Sequence, residues 1–159
     1  MGELSHVDTA GAARMVDVTD KATTARVAVA TGVVRTTEEV VGLLRANGLK
    51  KGDALSTARI AGIMGAKRTP DLVPLCHPIP ISGVTVDFAL GDDSVSITAT
   101  VRTSGPTGVE MEALTAVAVA GLTVHDMIKA VDPAAVLSDV RLESKTGGKA
   151  GEWTRPEGR

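Results

Sequence analysis

Prolines at positions 70, 74, 78 and 80 limit what this chain can fold into more than any other feature. The stretch runs Lys67-Arg-Thr-Pro-Asp-Leu-Val-Pro-Leu-Cys-His-Pro-Ile-Pro80. Proline fixes φ, removes a backbone donor and pushes the residue before it toward extended geometry. Leu75-Cys76-His77 is therefore expected to be held open rather than coiled into a helix. The same ribbon gathers two cations, a carboxylate, the sole cysteine and one of three histidines. Two readings stand side by side: a rigid binding surface, or an edge connection whose histidine carries no chemistry. Ordered loops are common carriers of function.

Regular patterns flank the ribbon. Thr24–Val34 alternates, with Ala25, Val27, Val29 and Val33 on one face and Arg26, Ala28 and Ala30 on the other, the pattern of a half-buried strand. Arg14–Val18 could form a shorter one. Thr36-Thr37-Glu38-Glu39 resembles a capping box, Thr36 paired with Glu39, opening a helix that Gly48 would stop. After the basic turn Lys50-Lys51-Gly52, Asp53 can cap a second helix through Lys67, whose Gly62 and Gly65 would allow close packing on a neighbour. Beyond the ribbon, Gly83–Leu90 and Ser94–Thr103 read as a hairpin turning at Gly91-Asp92-Asp93. A long helix is expected from about Val109 to Val131, then a strand at Val136–Leu142. The order β-α-(α)-β-β-α-β is that of a ferredoxin-like α+β sandwich, helices on one face of an antiparallel sheet. Order alone leaves the strand pairing open.

The chain's 159 residues suit a single domain spanning 1–159, with flexible ends at about 1–12 and 144–159. Its hydrophobic fraction is 43%, yet it has one Phe, one Trp and no Tyr, so Val, Ala, Leu and Ile must build the core. Few aromatics and a net charge of −2 argue against nucleic acid as a partner. One cysteine excludes an intrachain disulfide and fits a reducing compartment. The N-terminus has neither the apolar core of a signal peptide nor a Ser or Thr at position 6 for myristoylation. The longest uncharged apolar run, Ala113–Val124, is shorter than the ~20 residues a membrane helix needs. A cytoplasmic protein without a membrane partner is expected.

Polar clusters sit near the element ends. Lys50-Lys51 taken alone is a solvated turn. Glu110-Met111-Glu112 would point both carboxylates one way if extended and apart if helical; favourable charge at a helix N-terminus also explains them. His125, Asp126 and Lys129 share one turn of the long helix, and the apolar run before them suggests that the Asp126–Lys129 pair is buried at a desolvation cost. Lys145-Thr-Gly-Gly-Lys149 is basic but lacks P-loop spacing. No metal site is expected, because His77, Asp126 and the two glutamates have no ligand spacing. Together these groups suit an anionic small molecule rich in hydrogen-bonding groups, with lysine as phosphate holder or, where buried, as acid or base.

Five separated motifs resemble the molybdenum cofactor biosynthesis protein C family, the cyclic pyranopterin monophosphate synthases. They are Lys51-Gly-Asp with Ala58-Arg-Ile-Ala-Gly-Ile; Ala66-Lys-Arg-Thr-Pro-Asp-Leu with Pro74-Leu-Cys-His-Pro; Gly108-Val-Glu-Met-Glu-Ala-Leu-Thr-Ala; Asp126-Met-Ile-Lys-Ala-Val; and Ser144-Lys-Thr-Gly-Gly-Lys. The likeness extends from Leu4-Ser-His-Val-Asp and Met15-Val-Asp-Val to Gly151-Glu-Trp. It implies a ferredoxin-like lyase that converts 3′,8-cyclo-7,8-dihydroguanosine 5′-triphosphate into cyclic pyranopterin monophosphate and pyrophosphate. It also implies a homohexamer, a trimer of dimers with sites between subunits. By position, Asp126 matches the catalytic aspartate, and Lys51 and Lys129 the functional lysines. Leu75, Cys76, His77, Met111 and Glu112 match substrate-binding segments; Arg26, Lys67, Glu110 and Lys145 match further site positions. His125 departs from the Tyr of some relatives. No cofactor is required, although a divalent ion such as Mg can travel with the triphosphate. The competing readings are a non-catalytic nucleotide-binding module of the same fold and a metal-dependent phosphohydrolase.

Overall fold

The computed structural model describes all residues except 1, 3 and 50–52. The basic turn, and with it the candidate Lys51, lies outside the described residues. The sheet is antiparallel in the order β2-β3-β1-β4-β5. β1 (Thr24–Arg35) lies between β3 (Ser94–Gly105) and β4 (Val136–Thr146), with Thr24 opposite Gly105 and Val27 opposite Thr146. β3 thus separates β1 from β2 (Ile81–Leu90), the split β-α-β arrangement of a ferredoxin-like sandwich.

β1 alternates as its sequence suggests, and its small-residue face is the buried one. Ala28, Ala30, Gly32 and Val34 are buried, while Val27, Val29 and Val33 are only half-buried. The long helix α4 (Glu110–Ile128) explains the choice, because it lies so close that a Cβ on Gly32 would sit 2.6 Å from Val117 Cγ1. Across the layer, Val95, Ile97, Ala99 and Val101 of β3 face a core that includes Ala113, Ala116, Val117, Ala120, Val124 and Ile128 of α4. By length and composition α4 could cross a membrane, but more than half of it is buried inside the sandwich. It is the core helix of the fold.

Helix ends differ from the sequence reading in instructive ways. α1 (Glu38–Arg45) is capped by Thr37, whose hydroxyl accepts from the Val40 N–H at 3.2 Å, so the expected Thr36–Glu39 box does not form. Thr36 instead donates its hydroxyl to Asp132 Oδ2 at 2.8 Å, tying β1 to the turn after α4. The helix ends before Gly48: Asn47 takes the left-handed conformation (φ 51°), Gly48 N–H reaches Leu43 O and Asn47 N–H reaches Leu44 O.

α2 (Ala54–Lys67) is capped by Asp53 as expected, with Ser56 N–H donating at 3.0 Å. Its glycines face α4: a Cβ on Gly65 would lie 2.8 Å from Val119 Cγ2, and one on Gly62 3.0 Å from Ala116 O. The ribbon is not extended throughout. Thr69–Leu72 forms a helical turn, α3, because Pro70 sits in its first turn where a missing N–H costs nothing. Leu75 then lies in a turn closed by Cys76 N–H to Val73 O, and Pro80 leads into β2.

The β2–β3 hairpin turns at Gly91–Asp93 as expected, with Gly91 N–H donating to Ser94 O. α4 stops at Ile128, short of Val131, and β4 runs beyond Leu142 to Thr146, where β5 (Trp153–Thr154) pairs with it. Residues 14–18 do not form the expected strand. Val7 bridges Ala13 instead, Arg14 N–H closes on His6 O, and Val16, Val18 and Lys21 beyond them line a cavity.

Candidate functional site

The topology brings several chain segments to one edge of the sandwich: the start of β1, the ribbon before β2, the link from β3 into α4, and the end of β4. A cavity of about 380 Å3 opens there. Leu75, Cys76 and His77 form one side, Glu110, Met111 and Glu112 from the first turn of α4 another, and Lys145 of β4 a third. The ribbon is anchored by the Thr103 hydroxyl, which donates to Pro80 O at 2.7 Å.

Helical geometry separates the two glutamates. Glu110 is half-buried, its carboxylate 3.1 Å from Lys145 Nζ. Glu112 is buried, 3% exposed, and its Oε2 has no hydrogen-bond partner. Burial drives the Glu112 carboxyl up to about 7; a hydrogen bond with its own backbone opposes this, and the charge of Glu110 adds to it. Burial, helped by the same carboxylate, also raises the Cys76 thiol. Cys76 is accordingly a poor nucleophile and a suitable neutral wall.

Arg26 lies beside this cavity. Its Nε donates to Gly105 O at 3.1 Å and its Nη2 to Pro106 O at 3.3 Å, fastening β1 to the link that enters α4. It also lines a small adjoining hollow with Glu110, Lys145 and Gly147. Gly147 and Gly148 both have positive φ (91° and 79°), which lets the basic loop fold over Ala25 and Arg26. Lys67 is exposed at the end of α2 and does not line the cavity.

Sequence reasoning missed part of the wall. Ser5, His6, Val16, Val18 and Lys21 of the N-terminal segment line the cavity, as do Ile79 and Thr107. The segment has no periodicity; the signal available was the likeness of Leu4-Ser-His-Val-Asp and Met15-Val-Asp-Val to a family pattern.

Asp126 and Lys129 are elsewhere, at the far end of α4. With a rise of 1.5 Å per residue, Asp126 is roughly 24 Å along the helix from Glu110. Lys129 Nζ and Asp126 Oδ1 are 2.7 Å apart, with side chains 54% and 51% exposed. The expected buried ion pair is therefore a surface pair: Met127 and Ile128 fill the inward face of the last turn, and Asp126 and Lys129 occupy the outward one.

Two lysines, two histidines and two carboxylates thus wall one cavity on the edge of a ferredoxin-like sandwich. The chain belongs to the MoaC family, whose profile matches residues 15–148. It is 68% identical to a cyclic pyranopterin monophosphate synthase of Streptomyces coelicolor, over 96% of this chain and 89% of that protein. A synthase of the same name from Nocardioides sp. is 65% identical over 96% of both chains. Cyclic pyranopterin monophosphate synthase 2 of Mycobacterium tuberculosis is 62% identical over 97% of this chain and 92% of the relative.

Proposed function

We propose that this chain is a cyclic pyranopterin monophosphate synthase of molybdenum cofactor biosynthesis. It converts 3′,8-cyclo-7,8-dihydroguanosine 5′-triphosphate into cyclic pyranopterin monophosphate with release of pyrophosphate. The observation that carries this reading is the identity of 62–68% to synthases over nearly the whole chain. The cavity supports it, since the ribbon and the first turn of α4 converge on a space of about 380 Å3 with Lys145 at its rim.

The reaction needs proton transfers in the guanine-derived ring and attack of a sugar hydroxyl on the α-phosphorus as pyrophosphate leaves. Cations must meet the negative charge that develops at phosphorus. In this reading Lys145, Arg26 and Lys67 hold phosphates, and Leu75, Cys76, His77, Met111, Glu110 and Glu112 hold the ring. Lys51 and Lys129 move protons, and Asp126, 2.7 Å from Lys129 Nζ, fixes the charge and direction of that lysine. No cofactor is required, although a divalent ion such as Mg2+ can travel with the triphosphate; turnover that survives thorough chelation supports this and excludes the metal-dependent phosphohydrolase.

The wide separation of the two groups along α4 favours sites assembled between copies of the chain, in a hexamer built as a trimer of dimers. The protein works in the cytoplasm. The test is to incubate the purified protein with the cyclised GTP derivative and measure pyrophosphate and product. Asp126→Ala and Lys129→Ala are each expected to lose on the order of a hundredfold or more in single-turnover rate while remaining folded. Near-normal turnover by either variant removes its assigned role, and tight binding without pyrophosphate marks a non-catalytic module.

A further inference from the structure

Strand β4 carries one residue more than β1 can match where the two approach the cavity. Ala30 stands opposite Leu142 and Val29 opposite Ser144, so Glu143 is the extra residue of a β-bulge. Residues directly opposite in an antiparallel pair project to the same face of the sheet. Beyond the bulge, Lys145 lies opposite Ala28, whose buried side chain marks the face covered by α4. Lys145 accordingly meets Glu110 of α4 at 3.1 Å and lines the cavity. Regular pairing from Ala30 onward would set Lys145 opposite Val27, on the other face, because a shift of one residue reverses every side chain. The bulge thus aims the lysine.

One residue clasps the bulge from the far side. Arg155, just after β5, donates its backbone N–H to Glu143 O at 2.8 Å and its Nε to Leu142 O at 2.7 Å. It takes up the two consecutive carbonyls at the irregularity. Its Nη1 also donates to Arg159 O at 3.0 Å, which steadies the guanidinium. The Glu143 carboxylate is held separately, its Oε1 accepting from the Thr31 hydroxyl at 2.6 Å and Arg141 Nε at 2.7 Å. Arg155 itself does not line the cavity. We propose that Arg155 is a positioning residue: it locks the Glu143 bulge and so keeps Lys145 turned toward the ligand. This rests on the phosphate-holding role assigned to Lys145 above.

The test is a double-mutant cycle on the full-length protein, read as pyrophosphate binding by calorimetry at fixed pH and salt. Lys145→Ala should weaken binding about tenfold or more, the loss of a charge-assisted contact. Arg155→Ala should weaken it about fivefold to tenfold in the otherwise unchanged chain, and less than about twofold when Lys145 is already Ala, since its effect passes through that side chain. Arg155→Met keeps the packed stem and removes the side-chain donors, and it carries the same cycle if the alanine variant fails to fold. An equal loss in both backgrounds, or no loss in either, overturns the positioning role and leaves the substrate assignment standing. No binding by the unchanged protein, or equal binding by Lys145→Ala, removes the phosphate role of Lys145 and the inference with it.

Discussion

The environment that suits Glu112 to a ligand also weakens the fold above neutral pH. Its folded carboxyl binds a proton more tightly than the unfolded chain does, about 7 against 4.5. The sign follows from linkage: there is no penalty below about 4.5, a growing loss of stability as pH rises toward 7, and a constant penalty beyond. Glu112→Gln removes the titration, so it should melt above wild type at pH 8, by roughly 2–4 °C per kcal/mol recovered, and converge with it near pH 4.5. Calorimetric melting across that range checks this, and a gain independent of pH would refute it. Gly147 is a second residue whose chemistry is fixed by place. Its φ is 91°, and an added Cβ would drive into the Ala25 carbonyl. Gly147→Ala should cost about 1–3 kcal/mol and loosen the end of β4 that carries Lys145, measurable as a lower denaturant midpoint and weaker phosphate binding.

Close packing of α2 on α4 substitutes for the aromatic bulk the chain lacks. Gly65→Leu must push Val119 aside and is expected to cost about 1–3 kcal/mol, whereas Gly42→Ala on the exposed face of α1, with nothing within 4 Å, should stabilise by about 0.5–1 kcal/mol. Chemical denaturation of the two variants provides the check. The same packing explains what the sequence could reveal. Strands, hairpin and core helix were legible from period, and Gly62 and Gly65 from their cost to a helix. The buried face of β1 was not, because both faces are apolar and only the nearness of α4 selects the alanines. Adjacent threonines made the α1 cap ambiguous, and tertiary contact settled it by giving Thr36 to Asp132. The ribbon and the start of α4 stood out by motif, and the cavity joins them. The N-terminal wall did not, since an irregular segment that packs by local turns leaves no periodic trace.

At the scale of the whole molecule, α4 acts as a rod with one candidate group at each end. Glu110 and Glu112 open it beside Lys145, and Asp126 with Lys129 closes it on the opposite edge of the sandwich, roughly 24 Å away. A triphosphate held at one end cannot meet a proton carrier fixed at the other end of the same rigid helix. If both ends serve one reaction, a second copy must bring its Asp126 end to the first copy's cavity, and a two-fold relation would complete two such sites at once. The assembly can be tested by mixing two inactive variants, Lys145→Ala at one end and Lys129→Ala at the other. In a mixed pair one composite site carries both lesions and the other carries neither. Random reassembly of equal amounts should then restore about one quarter of wild-type activity, while each variant alone stays inactive. Mixed oligomers that form by mass spectrometry yet recover no turnover would show that the two ends of α4 do not meet across copies.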